Sequence, residues 1–246
     1  MSRIIITGGP TNEPIDEVMK ITNMSTGKLS VTLAGFFLEV GCSVCLILNN
    51  SVNAAGLSGD RLEIVRVETT EDMLEALREQ SAGPNHTDAV IHASAVGDYK
   101  SEFSFLLEDM AEELFAKLQD VKSAKDILKI MEEPDCRLDD SSKISSYQKN
   151  LTVKLALTTK IIARLRDWYP DSLLIGCKLL ENVPKEELFG AAAHLCEKNR
   201  VDYVLANDLA ELREGKTARY LVDSTGYTGI ALETPEDIYR FIDGLL

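Results

Sequence analysis

Short β-branched runs alternate with longer stretches of helical spacing along most of this chain, and that alternation restricts the fold more than any other feature. Arg3 to Thr7 reads as a buried strand, and Val44 to Leu48, Leu62 to Val67 and Asp88 to His92 read as further strands. Leu151 to Leu157, Leu173 to Cys177, Val201 to Ala206 and Arg219 to Val222 have the same character. Between them, Leu29 to Val40, Thr70 to Glu79, Lys160 to Trp168, Pro184 to Asn199 and Pro235 to Leu246 carry apolar residues three and four apart. Strand alternating with helix predicts a doubly wound α/β fold around a mostly parallel sheet, because right-handed crossovers place helices on both faces.

Residues 101–150 depart from this pattern. They hold two amphipathic stretches, Leu106 to Leu118 and Ala124 to Met131, and then a polar tract from Pro134 to Ser146 without apolar periodicity. The expectation is a single domain over 1–246 with a helical and loop insertion around 101–150. The tract is then either a mobile surface loop or a lid that orders over substrate.

Composition excludes several classes. The chain has 246 residues, of which 45% are hydrophobic and 27% charged, so it can build a large core and is not a disordered polymer. Its net charge of −14 argues against sequence-independent binding to nucleic acid or to an anionic membrane surface. No apolar run reaches the ~20 residues of a membrane helix, and the first residues lack the pattern of a secretion signal, so a cytoplasmic location is expected. Five scattered cysteines do not suit a disulfide framework. The pair Cys42 and Cys45 is offset by three within or beside a strand, which puts the two thiols on opposite faces. No metal site is expected from the residues.

In an open parallel sheet, ligands bind beyond the carboxyl ends of the strands, and polar clusters fall there. Thr7-Gly8-Gly9-Pro10-Thr11 follows the first strand, and Asn23-Met24-Ser25-Thr26-Gly27-Lys28 precedes the first long helix. Such residues either make a tight turn or leave backbone amides pointing at an anion. The three-glycine dinucleotide fingerprint is absent, as is a Tyr-x-x-x-Lys pair near Tyr99 or Tyr147, which argues against nicotinamide chemistry. His92-Ala93-Ser94-Ala95-Val96-Gly97-Asp98 follows the fourth strand, with Asp98 either a turn acid or an acceptor for a ligand. Lys143 is the cation of Lys143-Ile144-Ser145-Ser146 in the polar tract. Asn207, in Ala206-Asn207-Asp208, either caps a helix or reads a base or ribose.

Taken together, these segments resemble phosphopantothenate-cysteine ligases, in their free-standing bacterial form. The likeness runs through Gly-Gly-x-Thr-x-Glu-Pro-Ile-Asp, Ile-Thr-Asn-x-Ser-Thr-Gly-Lys, Ala-Val-x-Asp-Tyr, Lys-Ile-Ser-Ser, Gly-x-Lys-Leu-Leu and Val-x-Ala-Asn-Asp, in order over nearly the whole chain. It implies a Rossmann-like nucleotide-binding domain that activates 4′-phosphopantothenate with CTP or ATP and Mg²⁺ in coenzyme A synthesis, then joins it to L-cysteine. By position, the resemblance gives Gly8, Ser25 and Gly27 to the nucleotide phosphates, with Cys177 and Asn207 nearer the nucleoside. It gives Asn23 to the acyl intermediate, Ser94, Ala95 and Asp98 to the pantothenate and nucleotide pocket, and Lys143 to the triphosphate. A homodimer is implied as well, with Leu151 to Leu157 offering an edge for pairing across a two-fold axis.

The chain departs from the family pattern at four places. Met19 stands where an Arg usually grips the substrate phosphate, Ser30 where Gly is frequent, and Cys177 where a Phe lies near the base. The loop reads Lys143-Ile144-Ser145-Ser146 rather than Lys-Ile-Lys-Lys. The rival reading these departures carry is a divergent paralogue that binds nucleotide without ligating.

Overall fold

The computed structural model describes residues 2–246. In chain order, the strands are β1 (Arg3–Gly8), β2 (Asn12–Pro14), β3 (Lys20–Thr22), β4 (Ser43–Asn49), β5 (Leu62–Val67), β6 (Ala89–His92), β7 (Tyr99–Leu106), β8 (Leu151–Leu157), β9 (Leu173–Leu180), β10 (Tyr203–Asp208), β11 (Arg219–Asp223) and β12 (Gly226–Leu232). The helices are α1 (Lys28–Glu39), α2 (Thr70–Ser81), α3 (Leu107–Ala116), α4 (Ala124–Glu132), α5 (Ile162–Trp168), α6 (Lys185–Asn199), α7 (Leu209–Arg213) and α8 (Pro235–Asp243).

The chain resolves into two compact units. The first comprises Met1–Thr11, Asn23–Val96 and Thr159–Leu246, and the second Asn12–Thr22 and Gly97–Thr158. The expected insertion is thus wider than 101–150, and it recruits the early segment 12–22.

The first unit is the expected doubly wound α/β fold. Its eight-stranded sheet has the order β12-β11-β10-β9-β6-β1-β4-β5, parallel from β10 to β5 and closed by the antiparallel pair β11 and β12. Ile4, Ile5 and Ile6 are all fully buried. Ile4 and Ile6 pack with Leu33 and Phe37 of α1 and Ile238 and Ile242 of α8, whereas Ile5 packs on the other face with Met73, Leu165 and Leu188. A strand covered on both sides has no polar face to show, which is why it reads as an unbroken apolar run. Cys42 and Cys45 divide between the same two faces, as their spacing predicts. Thr69 with Asp72, and Thr234 with Asp237, form capping boxes that start α2 and α8.

The strand order carries the functional consequence. From β1 the chain winds outward through β4 to β5, then returns with β6 on the other side of β1. The loops after β1 and β6 therefore diverge at the topological switch point, where open α/β sheets bind ligands.

In the second unit, β2 and β3 form an antiparallel hairpin, and β7 and β8 form a two-stranded antiparallel sheet with α3 and α4 in the connection between them. Leu151–Leu157 is a strand as expected, but it pairs with β7 and not within the large sheet. Phe103, Phe105 and Met110 make a small separate core there. β7, β2, β3, β12 and α7 are not anticipated by apolar periodicity, while α3 and α4 fall where the two amphipathic stretches predict them.

Candidate functional site

At the switch point the two loops are stitched together by backbone. Ala95 N donates to the Gly9 carbonyl at 2.9 Å, Thr11 N donates to the Ala95 carbonyl at 3.4 Å, and Pro10 and Ala95 form a parallel bridge. Beneath them, Thr7 Oγ1 accepts from Ser94 N at 3.3 Å and lies 2.9 Å from His92 Nδ1. The threonine hydroxyl has one proton to donate and two lone pairs, so it pairs with Nδ1 of a neutral His92 in either tautomer while still accepting from Ser94 N. Burial pushes the His92 pKa down to about 4. The Ser94 hydroxyl is buried beside this pair with no hydrogen-bond partner, a polar atom at the site that a bound group could satisfy.

The approach to α1 closes on the same place. Gly9 and Gly27 have φ of +83° and +66°, in the left-handed region, and a Cβ on Gly27 would lie 3.1 Å from Gly9 N and 2.7 Å from Val52 Cγ1. Only glycine permits this approach of two backbones. Gly27 is the N-cap of α1, which starts with no side-chain cap and no acid in its first turn. Its leading amides and positive dipole end are thus suited to an anion. Asn23 reaches across to the loop after β6, its Nδ2 donating to the Val96 carbonyl at 3.0 Å. Ser25 is half-buried on the segment before the helix. The structure therefore brings Gly8, Asn23, Gly27, Ser94 and Ala95 together. Ser30 fills the space left by Gly8, its Oγ donating to the Thr7 carbonyl at 2.8 Å.

Cys177 and Asn207 lie toward the carboxyl ends of β9 and β10, on neighbouring parallel strands. The Cys177 thiol has its pKa pushed up to about 11 by burial, so it is a neutral packing group against the α1 and α8 face and not a nucleophile. Asn207 is buried but is not the helix cap. That role belongs to Asp208, which accepts from Ala210 N at 2.7 Å, from Asn182 N at 3.0 Å and from Val183 N at 3.1 Å. These donors hold the Asp208 carboxyl below its ordinary pKa.

Asp98 and Lys143 belong to the second unit, and both are exposed. The Asp98 carbonyl accepts from Thr158 N at 3.0 Å, which anchors the start of β7 beside the end of β8. Met19 is half-buried at the end of the turn joining β2 to β3. Asp16 opens that turn, and its carboxylate also accepts from Ile144 N at 2.8 Å. Among the described residues no group of three or more His, Cys, Asp or Glu side chains is arranged to hold a metal ion, and no helix is long and apolar enough to cross a membrane.

Sequence reasoning assigned no role to Thr7, Gly9, Asp16 or His92. His92 and Thr7 carry a readable signal, each being the last or nearly the last residue of a buried strand. Asp16 sits inside a quoted motif, but its partner Ile144 lies 128 residues away, beyond any local pattern.

A family model described as the DNA/pantothenate metabolism flavoprotein C-terminal domain matches residues 1–135. A coenzyme A biosynthesis bifunctional protein CoaBC from Thermococcus kodakarensis is 31% identical over 207 residues, 84% of this chain and 41% of its own length. Its counterpart from Methanocaldococcus jannaschii is 28% identical over 211 residues and is likewise covered over 41% of its length. The chain thus spans about two-fifths of these curated relatives. Among solved structures, the DNA/pantothenate metabolism flavoprotein from Streptococcus pneumoniae superimposes with a TM-score of 0.80 at 28% identity, over 100% of this chain and 98% of that one.

Proposed function

Because the chain belongs to the family of the DNA/pantothenate metabolism flavoprotein C-terminal domain, we propose that it is a ligase joining 4′-phosphopantothenate to L-cysteine through an acyl-nucleotide in coenzyme A biosynthesis. The observation that carries this reading is the convergence at the switch point: the Gly8-Gly9 loop, the Asn23 to Gly27 segment and the Ser94-Ala95 loop meet there through named hydrogen bonds.

A carboxylate does not react with an amine until one of its oxygens becomes a good leaving group. In the first step the substrate carboxylate oxygen attacks the α-phosphorus of CTP or ATP, and the bond to pyrophosphate breaks. In the second, the cysteine nitrogen attacks the acyl carbon, the carbon–oxygen bond to the nucleotide breaks, and the amine gives up a proton. The backbone amides around Gly8, Ser25 and Gly27 suit the phosphates, with Cys177 and Asn207 on the nucleoside side. Asn23, Ser94, Ala95 and Asp98 serve the pantothenate portion, and Lys143 serves the activation step as a cation. We assign Mg²⁺ to the nucleotide's phosphates, where such ions commonly bind with most of their water retained. CTP is the preferred triphosphate and the cytoplasm the location in this reading.

The test is pyrophosphate release measured with each triphosphate separately, with and without phosphopantothenate, followed by addition of cysteine. Release that requires phosphopantothenate, and an amide product that requires cysteine, are the expected results. Nucleotide binding without either reaction would favour the paralogue reading that Met19 and Cys177 motivate.

The active form in this proposal is a homodimer. β8 pairs with β7 on one side, and Leu155 and Leu157 are exposed along it, an apolar edge of the kind that a second copy can cover. Sedimentation velocity at micromolar concentration should give a dimer. A fully active 27 kDa species would exclude it.

A further inference from the structure

Within the second unit, the carboxylate of Asp16 accepts three backbone hydrogen bonds from two distant stretches of chain. Oδ1 takes Val18 N at 2.7 Å and Met19 N at 2.6 Å, while Oδ2 takes Ile144 N at 2.8 Å. The turn itself is closed independently, with Ile15 N donating to the Met19 carbonyl at 2.8 Å. It is therefore a firm base. The tract from 139 to 149 is the opposite. Its other hydrogen bonds are local, Ser141 N to Asp139, Tyr147 N to Ser145 Oγ and Gln148 N to the Ser145 carbonyl, and Ile144 is its single buried residue. Asp16 is 6% and Ile144 7% exposed, so the bond joining them is shielded from competing water.

We propose that Asp16 is a positioning residue whose carboxylate tethers the Lys143 loop through the Ile144 amide, holding the Lys143 ammonium where the activation step uses it. The inference rests on the reading of Lys143 given above. Lys143 precedes the tethered amide directly, so fixing Ile144 N fixes the backbone from which the lysine extends. The three amide donors, with Met19 the foremost, hold the Asp16 carboxyl below its ordinary pKa, and the Lys143 charge acts in the same direction. The residue is thus ionised at neutral pH, and the tether is a charge-assisted bond.

The arrangement makes a one-atom test possible. An amide in place of the carboxylate has one acceptor and one donor end. If its oxygen stays with Val18 and Met19, its NH₂ faces the Ile144 N–H, donor against donor. Asp16→Asn then keeps the turn and loses the tether. Three proteins, Asp16→Asn, Lys143→Gln and the double variant, are compared with the parent for phosphopantothenate-dependent pyrophosphate release. Asp16→Asn and the parent, which keep Lys143, are compared for tryptic cleavage of the Lys143–Ile144 bond, with Asp16→Glu as the charge-conserving control in both. Lys143→Gln should slow release by roughly 10²-fold, and Asp16→Asn by about tenfold or more in kcat, as misplacement of a catalytic group does. The double variant should be no slower than Lys143→Gln alone, and Asp16→Glu should recover part of the loss. Cleavage after Lys143 should be about tenfold faster in Asp16→Asn, since protease access follows local opening.

Unchanged cleavage in Asp16→Asn would overturn the tether. Faster cleavage with rate losses that multiply in the double variant would overturn the coupling to Lys143. A parent that releases no pyrophosphate would instead sink the ligase reading, while the cleavage comparison still reports on the tether. Should Asp16→Asn fail to fold, amide hydrogen exchange in the parent decides the tether: Ile144 should be protected at least tenfold over Ser145 and Ser146 after correction for intrinsic rates, and equal protection would overturn it.

Discussion

Asn23 Nδ2 donates to the Val96 carbonyl at 3.0 Å and lies 3.5 Å from that of Ala95, so the side chain assigned to the acyl intermediate is also a strut between two site loops. Removing it should separate the two chemical steps. Asn23→Ala is expected to retain pyrophosphate release and to accumulate the acyl-nucleotide, with amide formation stalled. Asn23→Asp should be worse, because it turns a carboxylate oxygen toward two carbonyl oxygens. Rapid quenching with mass spectrometry distinguishes intermediate from product, and equal loss of both steps in Asn23→Ala would refute the assignment.

Gly8 is set by packing. A Cβ there would lie 2.5 Å from Ser30 Cβ and Oγ and 2.8 Å from Leu48 Cδ2. Gly8→Ala should therefore cost about 1–3 kcal/mol, the usual penalty for overpacking a filled core. Ser30→Gly added to it should return part of that loss by opening the space, less about 1 kcal/mol for glycine in a helix. Urea denaturation of the single and double variants reads this coupling, and strictly additive losses would count against it.

What could be read in advance follows a physical division. β1, β4, β6 and β10 are buried almost throughout, and their apolar runs state it directly, while β5 and β9 are only partly buried but keep enough apolar residues to be read as strands. β7 begins Tyr99-Lys100-Ser101-Glu102, and β2 and β3 are three residues each. None buries enough apolar surface to write a pattern, and each owes its conformation to a partner strand. The site divides in the same way. Gly8, Asn23, Gly27 and Ala95 are legible because they stand in compact motifs beside strand ends. The Thr7 to His92 pairing and the Asp16 to Ile144 bond depend on which strands and loops become neighbours, and that is set by tertiary structure alone.

His92 gives a pH dependence of known sign. Its pKa is about 4 in the native protein against about 6.5 in an unfolded chain. Between these values the unfolded chain binds a proton that the native state does not, so stability declines as pH falls from about 6.5 toward 4. The full difference is about 3 kcal/mol. Protonation also makes Nδ1 a donor, so the Thr7 oxygen must then accept from it. Urea midpoints between pH 5 and 7 should slope upward with pH in the parent. In His92→Asn, which keeps an acceptor for Thr7 but cannot titrate, the curve should be lower and nearly flat. A slope of the parent's size in His92→Asn would assign the effect elsewhere.

Met19 bears on the substrate phosphate. The segment that follows Asp16 is a closed turn running into β3, with Lys20 paired opposite Pro14 in the hairpin register. Met19 closes the turn and is half-buried, whereas Lys20 opens β3 and is exposed. The two side chains thus have different surroundings, and Lys20 is not a positional equivalent of an Arg at 19. If the phosphate of phosphopantothenate binds at position 19, the parent lacks a bidentate grip on a dianion and should have a high KM for this substrate. Met19→Arg should lower that KM by about 5- to 30-fold, roughly 1–2 kcal/mol of charge-assisted hydrogen bonding, with kcat little changed. Steady-state kinetics with phosphopantothenate as the varied substrate measures this. A loss of activity in Met19→Arg together with harm from Lys20→Ala would show that Lys20 already holds the phosphate, and no effect from either change would mean that the phosphate is bound elsewhere.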